Sequence, residues 1–398
     1  MIPPELGVRG LKSALLPSKV RTFIMSSYNQ IHGHGSMVFD TRRNQAYLEA
    51  LEKVITPDSV VLDLGAGLGI LGFLAAQLGA KKVYLVEPAE VMTVTAEIAK
   101  ANGFGDRVKC LQGTIEKVDL PEPVDVIISV FTGNFLLGED LLPSLFYARD
   151  KYLKPGGVMI PEAAVMEAVP VFVPEIYKEN IGRWSEPHLN IDNSAARPYA
   201  SQSIYFYGEK LSKAKYLAEP AKLMSMDFYN CNNTHCDVEV THEIKESSLC
   251  HGWAGWFAMQ LGDKWLSTAP HEPALHWSKA FLPLDPPLEL EAGEKITFKL
   301  QRPPFGDWSW KVKTQTASQQ HSTFFASPMT LKSLKKSSPQ YQPILNDKGK
   351  AAQYVLNNSN GNISVEQLSV RLLKDYPQIF SEPTKALNFV RNLTSSFS

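Results

Sequence analysis

Val60-Val61-Leu62-Asp63-Leu64-Gly65-Ala66-Gly67-Leu68-Gly69-Ile70-Leu71-Gly72 is the stretch on which the reading of this chain turns. It begins as a short β-branched and aliphatic run, as expected of a parallel strand buried on both faces. The run ends in glycine at every second position, and the period then changes. Leu71, Leu74, Ala75 and Leu78 recur at helical spacing, and Gly79 stops the helix. Strand, glycine turn and helix open a βαβ unit of the kind that holds a phosphate or nucleoside. The glycines tolerate positive φ and let backbone approach a ligand closely.

Two details narrow the ligand. The glycines run Asp63-x-Gly65-x-Gly67-x-Gly69, whereas a dinucleotide fingerprint separates its last two by three residues. No Lys-Ser/Thr pair follows, which excludes a P-loop. The next strand, Lys82 to Val86, ends in Glu87, placed to take both hydroxyls of a ribose. Together these features resemble the S-adenosyl-L-methionine site of class I methyltransferases, whose product is S-adenosyl-L-homocysteine.

The totals set bounds. At 398 residues two or three domains are expected. A formal net charge of -1 gives no global field for nucleic acid, and no apolar run reaches the roughly 18 residues of a membrane span. A secretory signal is not expected, because no long apolar core follows Lys12, Lys19 and Arg21. Cys231, His235 and Cys236 lie close together, but no second ligand pair accompanies them. Free thiols, no metal and a reducing, cytoplasmic compartment are expected.

Along the chain, residues 1–27 carry no strong periodicity. Asp40 is a good N-cap for a helix through Tyr47, Leu48, Leu51 and Ile55, stopped near Pro57, and the plainest reading of Arg43 alone is a residue on its solvated face. Gly113-Thr114-Ile115-Glu116 follows a third strand; Glu116 would accept from an adenine amino group or be a surface acid. Val124 to Ser129 is a fourth strand, and the loop after it faces the methyl donor. A helix from Leu141 to Tyr152, a turn at Pro155-Gly156-Gly157 and a fifth strand complete a Rossmann-like domain over 28–161.

After Pro161 helical period fades. Short strands are expected at Val165 to Val173, Cys236 to Ile244, Gly252 to Leu261, Lys295 to Arg302 and Trp308 to Thr314. All seven tryptophans fall at or beyond Trp184, and a β-barrel or β-sandwich domain over 162–330 follows. Residues 331–343 read as a linker. Residues 344–398 read as a small helical, winged-helix-like appendix, with a capping box from Ser364 to Gln367 and a last helix after Pro383.

The chain from about 28 to 330 resembles the protein arginine methyltransferases. His34, Met37, Asp40 and Arg43 keep that family's His-x-x-Met-x-x-Asp-x-x-Arg spacing. Leu64 to Gly69 with Glu87, Gly113 to Val118, Phe146 to Lys151, and Leu266 to Trp277 are similar to further family motifs. The resemblance implies a donor domain, a β-barrel and a dimerisation arm near Glu175 to Ser201, hence a homodimer. It implies cofactor binding by Met37, Arg43, Asp63, Gly65, Gly67, Gly69, Glu87, Ile115 and Glu116. Arg43 would hold the methionine carboxylate. Asp40 and His276 would pair beside the methyl group, and Tyr28, His34, Val130 and Trp277 would face the acceptor.

One departure bears on the acceptor. The family's loop holds two glutamates that clamp a guanidinium. Here Glu139 matches the second, while Val130 stands where the first belongs. Losing one charge-assisted partner costs about 1.5–3 kcal/mol. A protein or peptide nitrogen is the leading acceptor. A small-molecule nitrogen or oxygen and a non-catalytic donor-binding scaffold stand as alternatives.

Overall fold

The structure, a computed structural model, describes residues 30–336 and 338–397. It divides into two compact units, one through Ser327 and one from Pro328 onward. The Rossmann-like and β-rich regions therefore form a single unit.

Two helices lead into the first sheet: α1 (Ile31–Val38) and α2 (Thr41–Glu52). Asp40 caps α2 as expected, accepting from the Arg43 amide at 3.0 Å. The next elements are β1 (Val60–Leu64), α3 (Ile70–Gln77), β2 (Lys82–Glu87), α4 (Met92–Ala101), β3 (Val108–Gln112) and β4 (Val124–Ser129). Then come α5 (Leu142–Tyr152) and β5 (Leu153–Ile160). β5 extends through Gly156 and Gly157, where a turn was expected. The five strands form a parallel sheet in the order β3-β2-β1-β4-β5. Every residue of β1 is buried, as its unbroken apolar run requires. The strand order reverses between β1 and β4, and ligands of such sheets bind at the carboxyl ends there.

The β-rich region follows with β6 (Ala163–Phe172) and a helical excursion containing α6 (Pro174–Asn180) and α7 (Arg197–Ala200). Ten further strands follow: β7 (Tyr205–Tyr207), β8 (Lys215–Tyr216), β9 (Ala221–Asp227), β10 (Cys236–Glu243), β11 (Ser248–Leu261), β12 (Lys264–Ser267), β13 (Lys279–Leu290), β14 (Lys295–Arg302), β15 (Ser309–Lys313) and β16 (Ser318–Ser322). They build a seven-stranded sheet, β7-β13-β11-β6-β8 with β12 and β9 paired alongside, and a four-stranded sheet, β10-β14-β15-β16. Trp253 stacks on Phe298 with ring centres 4.7 Å apart. Trp310 is fully buried and donates to the Pro283 carbonyl. The tryptophans concentrated here thus supply much of the β-region core.

In the second unit, α8 (Leu331–Lys336) occupies part of the expected linker. The three helices α9 (Asp347–Asn358), α10 (Val365–Asp375) and α11 (Pro383–Phe397) close a core on Ala351, Val355, Leu368, Leu372, Phe380, Ala386 and Val390. No strand accompanies them among the described residues. The capping box is present in both directions between Ser364 and Gln367. No described helix is long and apolar enough to cross a membrane.

The cap gives a local stability prediction. Ser364→Ala should weaken this helical unit by about 1 kcal/mol. Amide hydrogen exchange would show the loss across 365–375, with β1 protection unchanged.

Candidate active site

The turn after β1 is built by close approach. Gly65 and Gly67 have φ of 71° and 52°. A Cβ on Gly65 would strike the Phe131 ring, and one on Gly67 would lie 2.9 Å from His34 Nδ1. Side chains there would fill the cradle and strain the backbone. Gly69, at φ 81°, starts α3 and packs under Phe73 and Thr95.

Two acids tie the turn to its neighbours. Asp63 Oδ2 accepts from the Gly72 amide at 2.8 Å, and Glu87 accepts from the amides of Gly67 at 3.0 Å and Ala89 at 2.9 Å. Burial pushes the Asp63 carboxyl up to about 7, partly offset by the Gly72 amide and Arg43. Burial also raises Glu87, against the two amides and His34. Arg43 is buried, at 2% exposure, rather than on a solvated face. Its guanidinium donates to the Met37 carbonyl and to Asn44 Oδ1.

The β4 strand delivers the second wall. Tyr47 on α2 donates to the Ser129 carbonyl at 2.8 Å and fixes the strand end. The loop from Val130 to Leu141 then folds on itself, with Phe135, Leu136 and Asp140 at positive φ. A Cβ on Gly133 would meet the Glu139 backbone and side chain at 3.0–3.2 Å, so the loop can return only past glycine. Residues of the β-rich region hold the loop at several points. Trp277 Nε1 donates to the Thr132 carbonyl at 2.7 Å, and the Ser278 amide donates to Asn134 Oδ1 at 2.8 Å. Phe135 lies against Gly255 of β11 and against Trp308.

Asp140 is anchored most firmly. It receives two bonds from Arg302, at 2.8 and 2.6 Å, and one from the Phe305 amide at 3.2 Å. Both side chains of this pair are under 5% exposed. Asp140 therefore points into β14 and away from the cleft, and nothing in the sequence flagged Arg302 as its partner.

On the opposite side, Asp40 Oδ2 accepts from both the amide and Nδ1 of His276, at 2.8 and 3.1 Å. Arg42 reinforces the junction through the Pro273 carbonyl and Glu272. Burial alone would raise the Asp40 carboxyl, but the bonds from His276 and the Arg43 amide outweigh it and hold it below the ordinary value. Burial lowers His276, only partly opposed by Asp40. The pair is thus a carboxylate beside a neutral imidazole at pH 7, with Nδ1–H donating and Nε2 left as the basic nitrogen.

These walls enclose a cleft of about 440 Å³ at the carboxyl ends of β1 and β4. His34, Met37, Arg43, Asp63, Gly65, Gly67, Glu87, Val130, Glu139, His276 and Trp277 all line it. Asp40 acts behind His276. His34, expected on the acceptor side, sits over Gly67 of the glycine turn and influences Glu87. Ile115 and Glu116 are not brought into the lining. Ile115 turns into the core, and Glu116 accepts from Ser144 Oγ at 2.6 Å, as a surface acid would. Tyr28 lies outside the described residues. Arg149, in the Phe146–Lys151 motif, serves the scaffold by donating to the carbonyls of Phe228 and Cys231.

Sequence reasoning did not single out Thr132 or Asn134, which also line the cleft. Their signal was weak, since both are polar residues in a loop of unknown shape. The four cysteines carry free thiols. No cluster of three metal-ligating side chains occurs among the described residues.

A parallel sheet of this order, with a glycine turn, an acid at the end of β2 and a cleft at the strand reversal, defines a class I methyltransferase. The comparisons extend this. Residues 61–157 match a methyltransferase domain model, and 162–312 match the arginine methyltransferase oligomerization subdomain. Protein arginine N-methyltransferase 6 of Xenopus laevis is 34% identical over 285 residues, covering 68% of this chain and 83% of that protein. Protein arginine N-methyltransferase 1.1 of Arabidopsis thaliana is 32% identical over 284 residues, 69% of this chain and 72% of that protein. A Trypanosoma brucei PRMT1 enzyme–prozyme heterotetrameric complex with AdoHcy aligns with a TM-score of 0.68 at 28% identity, over 74% of this chain and 99% of that one. This chain belongs to the protein arginine N-methyltransferase family, and it is an S-adenosylmethionine-dependent methyltransferase.

The Asp140–Arg302 pair yields a prediction. Asp140→Asn keeps a residue that tolerates positive φ but strands a buried guanidinium. Stability should fall by about 3–5 kcal/mol. A urea-denaturation midpoint would report it.

Proposed function

We propose that this chain transfers a methyl group to a guanidinium nitrogen of arginine in a protein or peptide, with Glu139 as the acceptor-holding carboxylate. The observation that carries the reading is the position of Glu139. It lines the same cleft as the glycine turn, Glu87 and Arg43, and the neighbouring acid Asp140 is engaged by Arg302 away from it.

The cleft's chemistry suits the donor. Arg43 supplies a cation for the methionine carboxylate, Glu87 two acceptor oxygens for the ribose hydroxyls, and the Gly65–Gly67 backbone a surface no side chain blocks. Met37 and Asp63 line the same side. S-adenosylmethionine, when bound, supplies an electrophilic methyl group on a sulfonium. The chain's own part is to align the acceptor nitrogen and counter its charge. Glu139 draws a guanidinium in and orients its lone pair. His276 Nε2, neutral and held in place by Asp40, can take the proton the nitrogen sheds.

A second reading, a less charged nitrogen or oxygen acceptor, is favoured by Val130 and by the engagement of Asp140. It leaves the donor side unchanged. The excursion from Pro174 to Ala200 fits a homodimerisation arm, for Leu189 and Ile191 at its tip are largely exposed. A reducing, cytoplasmic compartment is consistent with the four free thiols.

The test is transfer of labelled methyl to an arginine peptide and to its lysine counterpart, read by mass spectrometry of the products. Label on arginine alone supports the reading; label only on small metabolites of a lysate would favour the second. Glu139→Gln should lower the transfer rate at least tenfold while leaving the dissociation constant of S-adenosylhomocysteine within about twofold. Equal loss in both would remove Glu139 from the acceptor role.

The His276 shift sets a pH dependence. Its imidazole titrates below the ordinary histidine value, so activity should persist down through that value and fall as protonation removes the base. Asp40 raises this imidazole, so Asp40→Asn should move the acid limb to still lower pH and lower the plateau. A limb that moved upward would contradict the pairing.

A further inference from the structure

The near-neutral total charge hides a division of sign. Nine lysines and arginines against four acids give residues 328–398 a formal charge of +5, which leaves -6 for the remainder. None of the residues lining the cleft belongs to this second unit. Among the described residues, only Lys350 and Lys385 of its nine cations pair with a carboxylate. Most of its positive charge is therefore uncompensated.

Part of that charge gathers ahead of the three-helix core. Lys332, Lys335 and Lys336 of α8 line one open hollow with Leu331 and Tyr341. A turn follows the helix: the Ser338 amide donates to the Lys335 carbonyl at 3.3 Å, and the Tyr341 amide to the Ser338 carbonyl at 2.9 Å. Three lysines around a concave surface suit a phosphate group.

The same stretch exposes a run of large apolar side chains, beyond the single ones that any surface carries. Leu331 is 78% exposed, Ile344 89% and Leu345 50%, and Met329 and Leu334 are exposed as well. Leu331 and Leu334 lie three apart on α8 and so share a face. The backbone of a nucleic acid would answer the lysines and leave these side chains in water. An anionic bilayer answers both, with headgroup phosphates for the lysines and an acyl boundary for leucine and isoleucine.

We propose that α8, with Tyr341 and Ile344, is a peripheral anchor for an anionic phospholipid surface. Lys332, Lys335 and Lys336 take headgroup phosphates, while Leu331 and Ile344 enter the acyl boundary. The anchor holds the methyltransferase at a membrane face without a spanning helix.

The test is flotation of the full chain with two kinds of liposome, one of phosphatidylcholine alone and one of phosphatidylcholine and phosphatidylserine at three to one. Binding is expected only to the second, and raised salt should weaken it. Lys332→Gln, Lys335→Gln and Lys336→Gln together should weaken it by at least about thirtyfold. Leu331→Gln with Ile344→Gln should weaken it about tenfold. Both sets alter exposed side chains, so the S-adenosylhomocysteine dissociation constant should stay within about twofold of wild type and report an intact fold. Equal binding to both liposomes, no binding to either, or insensitivity to the Leu331 and Ile344 changes would overturn the assignment. So would equal affinity for a single-stranded oligonucleotide, whose phosphates meet the lysines alone.

Discussion

The loop that leaves β4 must turn back on itself between two packed sheets, and the catalytic cleft depends on how it is held there. On one side lies the parallel sheet, with the glycine turn after β1. On the other lies the antiparallel region, contributing Trp277, Ser278, Gly255 and Arg302. Each contributes a different constraint: a carbonyl held, an amide side chain held, a ring seated against a strand with no Cβ, and a buried ion pair closing the end. A loop with three non-glycine residues at positive φ persists only where its surroundings over-determine it. Here they do, and Glu139 is presented to the cleft as a consequence.

The Asp40–His276 contact works by a related economy. One carboxylate caps α2, accepts two hydrogen bonds from His276 and sets that imidazole's tautomer. Helix start, interdomain contact and candidate base therefore share a single side chain. Burial then decides the protonation states, and it acts in opposite senses on the two partners. The bonds to Asp40 overcome its burial, whereas those to His276 do not. The result is an ionised acid beside a neutral base, the combination needed to hold and then relieve a nitrogen of its proton.

Much of the glycine-turn wall was legible in the sequence. Gly65 and Gly67 announce themselves because no other residue fits the conformation, and β1 because full burial leaves no room for alternation. Strands β10, β11, β14 and β15 also fell near their expected places. β13 was hidden by its three prolines, although Pro286 and Pro287 sit at its less buried end and the strand, Pro283 included, pairs with β11 on both sides of a bulge. Taken alone, Arg43 could as well have lain on a solvated helix face, because a helix face is not known to be buried until its neighbours are placed. Glu116 followed a motif, yet the chain after β3 turns Ile115 inward and the acid outward. Asp140 and Arg302 could not be found from spacing, since their pairing arises only when residues 162 apart in the chain are brought together.

The central claim is that the glycine turn and the β4 loop form one cleft, with the donor on one wall and Glu139 facing the reacting centre from the other. A crystal structure of the protein with S-adenosylhomocysteine tests it most directly. The account predicts the nucleoside over Gly65 and Gly67, its ribose at Glu87, its carboxylate at Arg43 and its sulfur turned toward Glu139. A ligand bound away from the glycine turn, or a Glu139 side chain directed to bulk water, would contradict it.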